Sequence, residues 1–217
     1  VWQLKRNNSL MKTEGTITSI EVARYPKNDL ALLEYSLSTS LQSQPGSFTI
    51  PLFKNNRLAG LVTRFNSENQ ELKAIPVDVI RHFLADFKDG EYKGFPNIGV
   101  DLTSTKDPQF RNYIQLPPDS GGVYVSSVAV GSPGEEAGLK KGDVIEKVNG
   151  NPINHNGNYI DERYGRIYLS NLITLHCQSG DTIPLVVRRD GKLMEVEITP
   201  QAKSLSDYVS PPYLLDT

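Results

Sequence analysis

The sequence predicts a mainly β protein with some helix, divided into two units. Three observations carry this expectation. Apolar and polar residues alternate at period two through the first part of the chain. The period then changes once, after Pro76, to helical spacing, and a glycine-containing linker follows. Beyond the linker, glycines and an Asp-Gly pair punctuate short apolar runs at turn positions.

Taken in order, "GTITSIEVARY" alternates Ile17, Ser19-Ile20 and Val22 with polar residues, as a half-buried strand does. "DLALLEYSL" is a second strand. "FTIPLF" and "RLAGLVTRF" flank "KNNR", a polar turn suited to a hairpin. In "AIPVDVIRHFLADF", Val77, Ile80, Phe83, Leu84 and Phe87 recur at helical spacing. "FPNIGVDL" reads as a glycine-interrupted strand. "GGVYVSSVAVGSPGEEAGLKKGDVIEKVNGNPI" reads as strand, turn, short helix, strand and tight turn. "RIYLSNLITLH" supports a helix, and "TIPLVVRRDGKLMEVEITP" a hairpin closed on Asp190-Gly191. The units expected are 1–88 and 95–200, with 201–217, including "SPPYLLDT", as a linker or an extended arm.

Composition excludes several classes. With 217 residues, 38% hydrophobic and 22% charged, the chain can bury a core. Its formal net charge of -2 offers no field to gather nucleic acid, and no apolar run reaches the roughly 18 residues of a membrane span. The opening Val1-Trp2-Gln3 carries no secretory signal and reads as the boundary of a fragment. The single cysteine, Cys177, excludes an internal disulfide and reads as a small buried hydrophobe. No cofactor motif and no metal-ligand spacing is present, so neither a cofactor nor a metal is expected.

"SPGEEAGLKKGDVIEKVNGNPI" resembles a PDZ domain of the circularly permuted kind found in Deg/HtrA proteases. Ser132-Pro133 opens the short helix, Ala137-Gly138-Leu139 ends it, and Gly142, Asp143 and Val144 turn into the next strand. Gly138, Gly142 and Gly150 fall where turns need a positive φ. The resemblance implies a groove that takes peptide or protein C-termini by strand addition. It places Asn97, Ile98, Gly99 and Val100 at the carboxylate end, and Ile167, Tyr168, Asn171 and Leu172 on the opposite wall. Two alternatives stay open: Ile167 and Leu172 as plain core, and internal docking of the groove on the same protein.

"GTITSIEVARY", "QPGSFTIPLF" and "AIPVDVIRHFL" are similar to the C-terminal half of the protease domain of the same family. The fold implied is a partial chymotrypsin-like β-barrel followed by the PDZ domain, and "SPPYLLDT" in 201–217 resembles the start of a further PDZ-like domain. Aligned on Pro45, Gly46 and Pro51, the family's Asn-Ser-Gly-Gly becomes Ser47, Phe48, Thr49 and Ile50. Phe48 cannot act as a nucleophile. Thr49 and Ile50 are β-branched and resist the turn that converges backbone N–H groups on an oxyanion. Ser47, one residue early, would point to the other face of an extended segment. Asp29 in "DLALL" reads as a turn residue, and His82, His155 and His176 all follow the nucleophile loop, whereas the family's base precedes it.

The expected function is therefore that of a proteolytically inactive Deg/HtrA-like protein, acting through PDZ-mediated binding, assembly or regulation. A non-catalytic portion of an active protease and a stand-alone PDZ adaptor stay as alternatives. The relatives imply homo-oligomers, and an extracytoplasmic location if the source is bacterial.

Overall fold

The computed structural model describes residues 1–4, 8–24, 31–40 and 50–202. The first unit holds β1 (Trp2–Leu4), β2 (Leu10–Lys12), β3 (Gly15–Arg24), β4 (Ala31–Thr39), β5 (Ile50–Lys54), β6 (Arg57–Asn66), β7 (Glu71–Pro76) and α1 (Val77–Asp86). Five of these strands form one antiparallel sheet in the order β3-β4-β7-β6-β5. The β1-β2 hairpin lies beside β5, with the Trp2 ring 5.7 Å from that of Phe53. Register shifts at Ile17/Ser19, Leu52/Phe53 and Val62/Arg64 mark bulges, which increase twist and curl a sheet toward a barrel. Tyr35, Leu37, Leu52, Val62, Leu72 and Ala74 fill the space it encloses.

Local chemistry explains most of these elements. Asn55 and Asn56 adopt φ of 49° and 62°, the pairing a two-residue hairpin between β5 and β6 requires. Pro76 closes β7 and serves as N-cap of α1, so the helix begins at Val77, where the change of period placed it. The apolar residues of α1 divide. Val77 and Val79 are buried beside His82, whereas Phe83, Leu84 and Phe87 stay exposed and Phe83 packs on Tyr92.

The second unit continues with β8 (Pro96–Asn97), β9 (Val100–Ser104), α2 (Pro108–Tyr113), β10 (Val123–Val128), α3 (Pro133–Glu136), β11 (Val144–Val148), β12 (Asn151–Pro152), β13 (Asn158–Asp161), β14 (Gly165–Tyr168), α4 (Ser170–Thr174), β15 (Ile183–Arg189), β16 (Lys192–Ile198) and β17 (Gln201–Ala202). Its main sheet runs β16-β15-β11-β10-β9, with β12 on β11, and β17 pairs with β8. Asp190 and Gly191, at φ 48° and 77°, close the β15-β16 hairpin.

The segment read as one helix from Arg166 differs. Ile167 and Tyr168 lie in β14, paired with Tyr159 and Asn158, and the helix begins only at Ser170. Tyr159, Ile167 and Tyr168 suit a hairpin strand, and this local pairing outcompetes helix for the first residues.

The two units share a core. Leu32 and Leu33 of β4 and Val79 of α1 join the cluster built on Val125, Ile145, Leu172, Leu185 and Ile198. At this seam His82 stacks on Phe95 at 4.9 Å and its Nδ1 lies 3.2 Å from Gln178. Nearby, Tyr164 donates to Asp78, which also holds Arg163 at 2.6 Å and Arg81 at 3.2 Å. Burial and the Asp78 bond push the Tyr164 hydroxyl pKa well up, so it stays a donor.

Candidate functional site

The only neighbour of β9 in its sheet is β10, so among the described residues its other edge is unpaired. Between that edge and α4 lies a cavity of about 600 Å³. Asn97, Ile98, Gly99 and Val100 line one end, and Tyr168, Leu169, Ser170, Ile173 and Thr174 the facing wall. Val22, Arg24 and Ala31 of the first unit form a third wall.

The loop from Asn97 to Val100 is held by its carbonyls. The Gly134 N–H donates to Ile98 O at 2.8 Å and the Ala129 N–H to Gly99 O at 2.9 Å. The Asn97 amide donates to Gln201 O at 3.1 Å, tying the loop to β17. Among the described residues the N–H groups of Ile98 and Gly99 donate to no other group. Successive free N–H groups around a left-handed residue form a concavity suited to an anion.

Gly99 is at φ 65°, and a Cβ there would lie 2.2 Å from Ser132 Cβ. The close approach that the glycine permits is therefore to Ser132, the N-cap of α3, rather than to a ligand. α3 is anchored in turn by Asp143, which is 1% exposed. Asp143 accepts from Arg189 Nε and Nη2, both at 2.7 Å, and from the Lys140 N–H at 2.8 Å; Arg189 also donates to Gly138 O. This buried bidentate pair fixes the turn after α3.

The opposite wall is set by a second network. Asn171 donates to the Tyr159 hydroxyl at 2.8 Å, and Tyr159 donates to Asp161 at 3.0 Å. Asp161 also accepts from the backbone of Arg163 and Tyr164 and lies 3.2 Å from His176. Burial works against the Asp161 carboxylate, but these donors outweigh it and hold its pKa below the usual range. Burial raises the Tyr168 hydroxyl pKa, which nearby Arg24 partly offsets.

The structure brings Asn97, Ile98, Gly99, Val100 and Tyr168 to one cavity. Ile167, Asn171 and Leu172 are not among its lining residues; Ile167 and Leu172 belong to the same core cluster as Ile98, Leu169 and Ile173, which do border the cavity. The reason is the later helix start. With α4 beginning at Ser170, positions 170, 173 and 174 share the cavity face and 171 and 172 turn inward. Leu169, Ser170, Ile173 and Thr174 were legible only from that boundary, and no sequence signal pointed to Val22, Arg24 or Ala31. Gly46, Ser47, Phe48 and Thr49 of the nucleophile loop, Asp29 and the "SPPYLLDT" segment lie outside the described residues. Ile50 opens β5 and is half-buried.

The histidines occupy three separate structural contacts: His82 at the seam, His155 beside Arg111 at 3.2 Å, and His176 on Asp161. Burial pushes the Cys177 thiol up to about 11, so it is a neutral core group.

A sheet whose edge strand β9 lies open beside a short helix, set behind a curled antiparallel sheet, defines an HtrA-type architecture with a PDZ domain. Residues 96–199 match the PDZ domain family, and the chain is homologous to Deg/HtrA proteases. It is 28% identical over 196 residues to the chloroplastic Protease Do-like 2 of Arabidopsis thaliana, covering 88% of this chain and 32% of that protein. It is 30% identical over 148 residues to a serine protease HtrA-like of Staphylococcus haemolyticus, covering 65% of this chain and 21% of that protein. Its fold matches the HtrA-type protease AlgW solved with a decapeptide, at TM-score 0.59 and 17% identity, covering 93% of this chain and 58% of that one. The chain thus spans about a third or less of these two sequence relatives and less than two thirds of the solved structure. It is mostly β, and no helix among the described residues is long and apolar enough to cross a membrane.

Proposed function

We propose that this chain is a non-catalytic Deg/HtrA-like protein whose PDZ groove binds the C-termini of peptides or proteins. The observation that carries this reading is the loop at Ile98-Gly99, whose carbonyls are taken and whose N–H groups are free among the described residues. A peptide added along β9 would gain strand hydrogen bonds, and its terminal carboxylate would accept from the loop. Ile98, Val100, Leu169 and Ile173 would receive an apolar last side chain.

The lack of catalysis is supported by sequence. Phe48 stands at the nucleophile position, β-branched Thr49 and Ile50 follow it, and each histidine is committed to another contact. A purified chain should take no label from a fluorophosphonate probe. Stoichiometric labelling, abolished by Ser47→Ala, would contradict the reading. For binding, a library of C-terminal peptides should yield ligands ending in an apolar residue, and a library with no binder would remove the recognition function.

A second reading is favoured by the third wall. Val22, Arg24 and Ala31 line the same cavity, which supports a groove that is also part of the seam between units. Any occupant would then touch both units.

A further inference from the structure

A second cavity, of about 490 Å³, lies at the seam away from the groove, between the β5-β6 hairpin and the turn after β13. We propose that it is a binding site for a small amphipathic anion, an aryl carboxylate in chemical class.

Three of its lining residues, Lys54, Arg57 and Arg163, are cations and none is acidic. Lys54 and Arg57 are direct cross-strand partners in the hairpin register. Like charges placed opposite each other are destabilising, and among the described residues neither side chain forms an ion pair. The carboxylate that Arg163 meets, Asp78, is already shared with Arg81 and Tyr164. An incoming anion would relieve a charge surplus that the protein itself leaves uncompensated.

The remaining surface selects the body of that anion. Ile17, Ile20 and Leu58 supply aliphatic contact, and the rings of Tyr35 and Tyr164 stand 6.4 Å apart. Such rings pack well against a flat aromatic group. The volume falls within the ordinary span of small-molecule sites. Because the hairpin belongs to one unit and Arg163 and Tyr164 to the other, a bound anion would also clamp the two together.

The test is calorimetric titration of the whole chain with 1-naphthoate, with neutral 1-naphthalenemethanol as the comparison. Naphthoate is expected to bind once per chain. The alcohol should bind at least about tenfold more weakly, and so should naphthoate to a Lys54→Gln/Arg57→Gln double variant. Both substituted side chains are exposed, so the variant should keep its unfolding midpoint or gain slightly. A saturating peptide in the PDZ groove should not compete. Lack of naphthoate binding, equal affinity for the alcohol, unchanged affinity in the folded variant, or displacement by the groove peptide would each overturn the proposal. A peptide library without binders would leave it untouched, since the two sites share no lining residue.

Discussion

Both units bury a carboxylate, and they pair it in opposite ways. In the PDZ domain, Asp143 receives two short bonds from one Arg189 and a third from the backbone. In the first unit, the Glu34 side chain is 2% exposed and meets Arg64 at 3.3 Å and Lys73 at 3.8 Å. Lys73 is itself divided, lying 3.3 Å from both Glu21 and Glu71 and bonding Ser36 at 2.6 Å. The first arrangement positions a turn, then α3, then Ser132, which buttresses Gly99 in the loop before β9. The second ties neighbouring strands of a sheet together and shapes no loop of the groove. Charge is locked where a loop must hold its shape, and spread where only strands must stay paired.

The largest expected effect follows from that contrast. Asp143→Ala leaves Arg189 without its partner and frees the turn after α3, and should cost about 3 kcal/mol in denaturant unfolding. Lys73→Ala should cost about 1 kcal/mol, because Arg64 still reaches Glu34 and the lost contacts are half-exposed. Equal losses from the two variants would break the comparison.

A smaller effect, near 2 kcal/mol, is expected for Gly99→Ala, which combines a left-handed backbone with a clash on Ser132. Adding Ser132→Gly should return part of the loss by removing the clash while the backbone strain persists. Full recovery would show that the left-handed conformation costs nothing.

At the seam the expected effect is smaller again and depends on pH. Burial, only partly offset by the Leu175 carbonyl, Asp86 and Asp181, holds the His82 pKa below its ordinary 6.5. The unfolded chain then binds the proton first, so the contribution of His82 to stability is full above about pH 6.5 and declines as pH falls toward the folded value. Unfolding midpoints measured from pH 7.5 to 5.5 should fall, and His82→Leu should flatten part of that slope. An unchanged slope would place the sensitivity elsewhere. The smallest effect is expected at Val130, 90% exposed, where Val130→Ser should stay within about 0.5 kcal/mol.

The same contrast governs what the sequence could disclose. Asp190-Gly191, Asn55-Asn56 and Ser132-Pro133 are local turn and cap chemistry, and the hairpins and the helix they define are where the residues place them. The pairing of β4 with β7, about 35 residues apart, has no local signature, and no strand was expected over Glu71–Pro76. The cavity beside β9 was half legible. Its loop carried a glycine between two strands, which shows in sequence, while its helical wall depended on a boundary at Ser170. That boundary is set by the β13-β14 hairpin, a pairing that sequence periodicity alone did not reveal.

The central claim is that the free N–H groups of Ile98 and Gly99 make this chain a receptor for a terminal carboxylate. Calorimetric titration with one apolar-ended peptide, as free acid and as C-terminal amide, tests it most directly. The account predicts one site per chain for the acid and a loss of about tenfold or more for the amide, since amidation removes the charge that the loop would accept. Equal affinities for the two forms would contradict it.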